Sequence, residues 1–141
     1  KGLLMPDSIR EQIVQAFADR LGAERGQQLD SQEELPARVL WDPTETAEKT
    51  KYRKYEVTLT VNVGEMAKRD FTINPSVQGN QMLAALLNDA LSEDSSLGGL
   101  CKDISYTDSV LDSPDPGQGE MIILVTFQIT YQTSNTSPYQ Q

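Results

Sequence analysis

The sequence predicts an α+β fold in which two helices pack on one face of a mainly antiparallel sheet. Segments 8–21 and 77–92 each carry an apolar stripe of helical period, and segments 55–63 and 120–132 alternate apolar and polar residues. The elements therefore follow the order helix, strands, helix, strands. Because no repeating strand–helix–strand unit appears, we expect a sandwich of one helical layer on one sheet.

The chain has 141 residues, which suits a single domain with one core. We assign the domain to residues 5–141 and interpret residues 1–4, ahead of Met5, as a remnant outside the fold. No apolar run approaches the roughly 20 residues that a membrane-spanning helix needs, and no signal-like leader is present. Cys101 is the only cysteine, which excludes an intramolecular disulfide and fits synthesis in a reducing cytosol.

The first helix is predicted over 8–21. Ser8 and Glu11 have the spacing of a capping box, in which each side chain satisfies a free amide at the helix start. Gly22 suits the end of the helix. The apolar stripe consists of Ile9, Ile13, Val14, Phe17 and Leu21.

The middle of the chain predicts strands separated by polar segments. Residues 23–35 lack periodicity and are expected to form a loop, as is the charged segment 42–54. Between them, 37–41 is a short strand candidate that ends at Asp42-Pro43. The alternating strand 55–63 follows, and 69–73 is expected to return as its short antiparallel partner.

The last third predicts a second helix and two strands. Gly98-Gly99 supplies the permissive dihedral angles for a sharp reversal after helix 77–92. Strands are expected over 102–111 and 120–132. The start of the final strand is apolar on both faces, because Ile122 and Leu124 interrupt the alternation, so we expect a helix or a neighbouring subunit to cover it.

The two stripes and the two alternating strands together predict the core. The helices contribute one apolar face each, and the strands contribute one face each. The predicted core residues are Leu59, Val61, Leu86, Leu87, Val125 and Phe127.

The composition argues against an enzyme. The chain contains no histidine, the commonest general base and transition-metal ligand, and one cysteine cannot build a zinc site. Cys101 beside Lys102 is better interpreted as a small buried hydrophobe than as a reactive thiol. No phosphate-binding glycine motif or calcium loop occurs. We therefore expect no catalytic residues, cofactor or metal.

The charge distribution argues against nucleic-acid binding. The net charge is −9, and Lys102 is the only basic residue beyond position 70. A protein that binds nucleic acid needs a positive surface to neutralise phosphates, and this chain has the opposite sign. The acidic residues either repel DNA that passes close by or simply keep the protein soluble.

The least periodic and most polar segments carry the candidate interface residues, because binding positions lie disproportionately on such loops. One basic cluster lies within 42–54, and one acidic loop lies within 112–120; a solvated surface without a partner is the alternative for both. The candidates are Lys49, Lys51, Arg53 and Lys54 in the basic cluster and Asp112, Asp115 and Glu120 in the acidic loop. The three acids could also gather a weak divalent ion, although a solvated turn is the simpler interpretation.

The order of these parts resembles the tail terminator, or tail completion, proteins of long-tailed bacteriophages and prophages. The resemblance covers about 8–139, from the first helix to the last strand. Its motifs are the Leu-Pro-x-x-Val-x-Trp stretch from Leu35 to Trp41 and the segment from Asp94 to Leu100. The most specific of them is Leu97-Gly98-Gly99-Leu100.

The resemblance implies a structural protein without an active site. Such proteins form a ring, usually a hexamer, that caps the tail tube, stops its polymerisation and presents a surface for the head–tail connector. It implies assembly in the host bacterial cytoplasm and a final place in the virion tail. Two alternatives remain open. One is another structural protein of a phage tail or neck, and the other is a small α+β binding domain that is not an enzyme and is unrelated to phages.

Overall fold

The computed structural model describes residues 6–26, 35–50 and 52–141. These residues form two helices and a five-stranded sheet, which confirms the α+β class. In chain order the elements are α1 (Ile9–Leu21), β1 (Glu24–Arg25), β2 (Ala37–Lys49), β3 (Lys54–Lys68), α2 (Pro75–Leu91), β4 (Asp103–Leu111) and β5 (Glu120–Ser134). The strands lie in the order β1-β2-β3-β5-β4, and every neighbouring pair except β1–β2 is antiparallel.

The helix ends follow their predicted caps. Ser8 Oγ accepts a hydrogen bond from the amide of Glu11 at 3.1 Å, and Gly22 adopts the left-handed conformation that ends α1. Only half of the predicted capping box forms, because the Glu11 carboxylate pairs with Arg25 at 2.8 Å instead of turning back to Ser8. The start of α2 is set by Asn74, whose side chain accepts from the amide of Ser76.

Two predictions for the middle of the chain were wrong. Segment 42–49 is the second half of β2 rather than a loop, and a bulge between Trp41 and Thr44 lets the strand pass Pro43 while keeping its pairing with β3. Segment 69–73 is a turn rather than a strand. Its polar groups are held by the buried side chain of Gln78, which accepts from the amide of Asp70 and donates to the carbonyl of Lys68. The loop predicted over 23–35 contains β1, and its part 27–34 lies outside the described residues.

One core lies between the helices and one face of the sheet. Phe17 of α1 contacts Phe127 of β5 edge to face, with ring centroids 5.3 Å apart. Of the six predicted core residues, five are buried and Leu87 is partly buried against them. The apolar stripe of α2 was expected at Leu83, Leu86, Leu87, Ala90 and Leu91; the buried face is rotated slightly from it, since Met82 and Gln78 are buried and Leu91 is exposed.

The other face of the sheet carries no helix among the described residues. Leu124 lies on this open face and remains 43% exposed, and Val110, its neighbour on β4, is also exposed. Of the two coverings expected for the start of β5, no described helix lies over Leu124. A covering subunit stays a prediction.

Replacing Phe127 by Ala should lower the free energy of unfolding by about 3–5 kcal/mol, because a fully buried ring is lost and a cavity remains. The matched control is Phe71→Ala. That ring is 66% exposed and contacts the Arg69 guanidinium, so its loss should cost about 1 kcal/mol or less. Urea unfolding of the three proteins measures both values. Equal losses from the two substitutions would contradict the packing of Phe127 against α1.

Candidate functional site

The predicted basic cluster lies at the end of the β2–β3 hairpin. The amide of Thr50 donates to the carbonyl of Lys54 at 2.8 Å and closes the hairpin, which places Lys49 and Lys54 on either side of its turn. Arg53 lies in the turn with a left-handed φ of 60°, and its carbonyl accepts from the amide of Asn135. The structure thus brings three of the four predicted cations together at one tip. The fourth, Lys51, lies outside the described residues.

The predicted acidic residues lie at the opposite end of the sheet. Lys68 pairs with Glu120 there, whereas Tyr55 pairs with Thr133 near the basic tip. Asp112 and Asp115 are exposed in the β4–β5 loop. In the described part of the chain, no group of three or more side chains of metal-ligand type is clustered. The three acids therefore form one rim of the sheet rather than a converging cation site.

The Gln118 side chain braces this acidic loop. It accepts from the amide of Asp115 at 3.0 Å and donates to the carbonyl of Glu120 at 3.2 Å. The amide of Asp112 donates to the carbonyl of Ile122, which continues the β4–β5 ladder into the loop. The acidic side chains are therefore presented from a loop with a defined backbone.

A cavity of about 460 Å³ opens on the helix-covered face, between the start of α1 and the basic tip. Its walls come from α1, β2, β3, β5 and the polar segment after β5. They include Arg10, Glu45, Ala47, Tyr55, Val57 and Tyr131. The cavity exists because α1 begins at Ile9 and leaves this end of the sheet uncovered.

The polar groups on the cavity wall are already paired with one another. Arg10 Nη2 lies 3.0 Å from Asp42 Oδ2, and its Nη1 lies 3.2 Å from Glu45 Oε1. The Tyr131 hydroxyl donates to the same Glu45 oxygen at 3.0 Å. Burial, followed by this hydrogen bond, raises the pKa of Tyr131 well above its ordinary value. Because both carboxylates are paired with Arg10, neither presents an unpaired charge to the cavity, which is therefore suited to a mostly apolar group with one polar end.

Two strand edges lack a neighbouring strand among the described residues. β4 is the last strand of the sheet on one side. On the other side, β1 pairs with β2 only at Val39 and Leu40, so β2 is unpaired on its outer side from Trp41 onward. Unpaired amides and carbonyls along such edges readily pair with another chain.

The Leu97–Leu100 turn sets where the β4 edge begins. Leu97, Gly98 and Gly99 all have positive φ, of 52°, 73° and 93°. The Asp94 carboxylate accepts from the amides of Ser96 and Gly98, both at 2.9 Å, and from the Ser96 hydroxyl at 2.6 Å. These bonds hold the chain through its reversal. Burial raises the pKa of the following thiol, Cys101, to about 11, which agrees with a structural role.

Sequence reasoning missed the cavity and the outer edge of β2. The residues of β2 beyond the bulge are exposed on both faces, so they carry no alternation of apolar and polar types. The cavity depends on where α1 starts relative to the sheet, which no single segment encodes. The sequence also did not indicate Tyr106 as a candidate site residue, although it is 40% exposed on the edge strand β4. The one available hint was threonine at alternate positions 44 and 46, a residue enriched in strands.

No described helix is both long and apolar enough to span a membrane. No known protein-family model matches this chain, and no curated protein matches it with significant similarity.

The hydrogen bonds to Asp94 predict an acid-sensitive turn. They hold the pKa of this carboxyl down to about 2, so the stability it contributes is complete above its unfolded pKa near 3.9 and is lost as the pH falls through about 2. Asp94→Asn removes the titrating group. We expect the unfolding midpoint of this variant to change less than that of the wild type between pH 4 and pH 2.

Thermal unfolding monitored by circular dichroism at several pH values measures the difference. Asp115→Asn is the matched control, because it removes one carboxylate from another exposed loop. Parallel pH profiles for wild type and Asp94→Asn would contradict the role of the carboxylate in the turn.

Proposed function

We propose that this protein is a phage or prophage tail terminator, which forms a ring on the end of a tail tube and stops its growth. The proposal combines the motif order of the sequence with one structural observation. In the described part of the chain, the sheet has two unpaired edges whose strands run in opposite directions, so one edge is suited to pair with the other edge of a second copy. The ring and its partners are expectations of the proposal.

The strand directions support a head-to-tail contact. Because β2–β3, β3–β5 and β5–β4 are each antiparallel, β2 and β4 run in opposite directions. Rotating one copy about an axis roughly along the strands keeps these directions. The β4 edge of one copy then meets the β2 edge of the next as an antiparallel pair. Such a contact uses two different surfaces, and it closes into a ring where the rotation closes.

The charges at the two ends of the sheet support two different axial partners. The basic tip (Lys49, Arg53 and Lys54) lies at one end, and the acidic loop (Asp112, Asp115 and Glu120) lies at the other. Lateral pairing of the strands would gather six or so copies of each feature on opposite rims. One rim would contact the tube protein, and the other would contact the head–tail connector.

The composition supports a ring that lets DNA pass. Beyond position 70 the chain carries eight acidic residues and one basic residue. Acidic surfaces lower the affinity for phosphate backbones, since there is no release of phosphate counterions to drive binding. The net charge of −9 would thus favour passage of DNA over adhesion.

A tube-length assay tests the proposed function. Tail-tube protein is polymerised with and without this protein, and tube lengths and ends are measured by negative-stain electron microscopy. We expect shorter tubes with a ring at one end. Tubes of unchanged length without end rings, at saturating protein, would contradict the proposal.

Reversing the basic tip should weaken capping without unfolding the protein. In Lys49→Glu/Arg53→Glu/Lys54→Glu, each substitution of an accessible side chain should change stability by within about 0.5 kcal/mol. Capping should fall most at low salt, where charge attraction is least screened. Lys68→Glu, an exposed cation at the other end of β3, is the matched control and should cap normally. Normal capping by the triple variant at low salt would exclude the tip as the tube contact.

A further inference from the structure

We infer that the cavity beside β2 receives the Tyr106 side chain of the neighbouring copy, in the register that places Ala47 of one copy opposite Tyr106 of the next. The inference rests on the proposed ring and names the residues of its lateral contact. Four features carry it: the direction of the edge amides, the face on which Tyr106 lies, the charges along the two edges, and the walls of the cavity.

The β2 edge offers outward amides at the cavity. The amide of Thr50 points inward to the carbonyl of Lys54, and backbone groups of an antiparallel strand alternate in direction. The amides of Glu45 and Ala47 therefore point away from β3. Their side chains lie on the helix-covered face, because they pair with the buried Leu59 and Val57. A strand added here would lie directly beside the cavity.

The β4 edge offers outward amides that match those of the β2 edge. Its ladder bonds to β5 involve open-face residues, since the amide of Asp112 donates to the carbonyl of Ile122. By alternation, the amides of Tyr106 and Ser109, on either side of the β4 bulge, point outward. Both residues pair with buried residues of β5 and thus lie on the helix-covered face. Outward residues of both edges therefore share one face, as direct cross-strand partners require.

Tyr106 is an aromatic side chain that its own chain leaves incompletely packed. Its ring lies 6.3 Å from Phe127, between centroids, yet 40% of the residue remains exposed. Its hydroxyl bonds only to the Ser109 hydroxyl among the described residues. Tyrosines of this kind are enriched among residues that dominate interface energies.

Three registers place the outward residues of both edges opposite each other on the same face, and the charges favour one of them. Pairing Ala47 with Tyr106 places Glu48 opposite Ser105, which is neutral. If Ala47 paired with Ile104 instead, Glu48 would lie opposite Asp103. If Ala47 paired with Ser109, Glu48 would lie beside Asp108 at the bulge. Like charges directly opposite each other destabilise a sheet. The first register is therefore favoured.

The cavity suits this side chain. In the favoured register Tyr106 projects over Ala47, whose small methyl group leaves room, toward the Val57 and Tyr131 wall. The volume of about 460 Å³ exceeds what one phenol ring needs. The paired Arg10 and Glu45 at the rim leave no lone charge to be buried by the incoming ring.

Disulfide trapping tests the register. Two single-cysteine variants, Ala47→Cys and Tyr106→Cys, are made in a Cys101→Ser background and mixed at high protein concentration under mild oxidation. Directly paired strand residues have Cα separations that a disulfide can bridge. We expect a linked dimer in the mixture and none in either variant alone. Val110→Cys, on the same strand but on the open face, replaces Tyr106→Cys in the control mixture and should yield none.

A second measurement tests the anchor. Because a central interface aromatic contributes more than about 1 kcal/mol, Tyr106→Ala should weaken association about tenfold, whereas Tyr106→Phe should retain it. Linkage of Ala47→Cys to Ile104→Cys or Ser109→Cys in preference to Tyr106→Cys would overturn the register while leaving the ring intact. Association of Tyr106→Ala at the wild-type level would likewise contradict the proposed role of Tyr106 in the contact while leaving the ring intact. Absence of any ring, cross-linked or on tubes, would overturn the proposed function together with this inference.

Discussion

The ion pair between Arg38 and Glu65 fixes the register on which the rest of the structure depends. The two residues are paired across β2 and β3, their side chains are largely buried, and Arg38 Nε lies 2.6 Å from Glu65 Oε1. The same guanidinium donates to Asp89 of α2 at 2.8 Å and to the carbonyl of Leu21 at 3.0 Å. Burial alone would lower the pKa of Arg38, but the hydrogen bonds to Glu65 and Asp89 outweigh it and raise that pKa.

The Arg38 side chain therefore joins both helices to the β2–β3 pair at a single point. Removing one partner of a buried ion pair leaves a charge without compensation and costs about 3–5 kcal/mol. A slip of one residue would also exchange the two faces of β2. The bulge between Trp41 and Thr44 then shifts the pairing by one residue. The outward amide of Ala47, the wall of the cavity and the position of the basic tip depend on the Arg38–Glu65 register together with this bulge.

The two free edges also carry features that oppose indiscriminate pairing. β2 has Glu45, Glu48 and Pro43 along its outer half, and β4 has Asp103 and Asp108. Charged residues and proline on edge strands are common devices against aggregation. Since both edges are acidic, they repel each other until the strands meet in a register that separates the charges. Association should therefore be slow in free solution and favoured where a template holds the copies together.

The sequence predicted the elements whose signals are local or periodic. Ser8 and Gly22 mark the ends of α1, and the alternation in β3 and β5 identified the buried face of the sheet. The outer half of β2 was missed because it is exposed on both faces, so hydrophobicity does not alternate there. Phe71 and Ile73 imitated a strand, whereas Asn74-Pro75 actually begins α2. Spacing along the chain suggested the cation cluster, but the cavity is formed by residues of α1, β2, β3 and β5 and of the polar segment after β5, so it could not be predicted from any one of them.

The most direct test of the head-to-tail contact mixes two variants that each lack one edge. Ala47→Pro removes an outward amide from β2, and Ser109→Pro removes one from β4, while the bonds inside the sheet remain. Ala47→Ser and Ser109→Ala keep the amides and serve as controls.

The species formed after brief cross-linking at high concentration are measured by mass. The account predicts rings for the wild type and both controls and monomers of 15.6 kDa for each proline variant alone. The mixture should give a heterodimer, because each variant still offers the edge that the other lacks. Homodimers of a single proline variant, or no heterodimer in the mixture, would contradict head-to-tail pairing of the β2 and β4 edges.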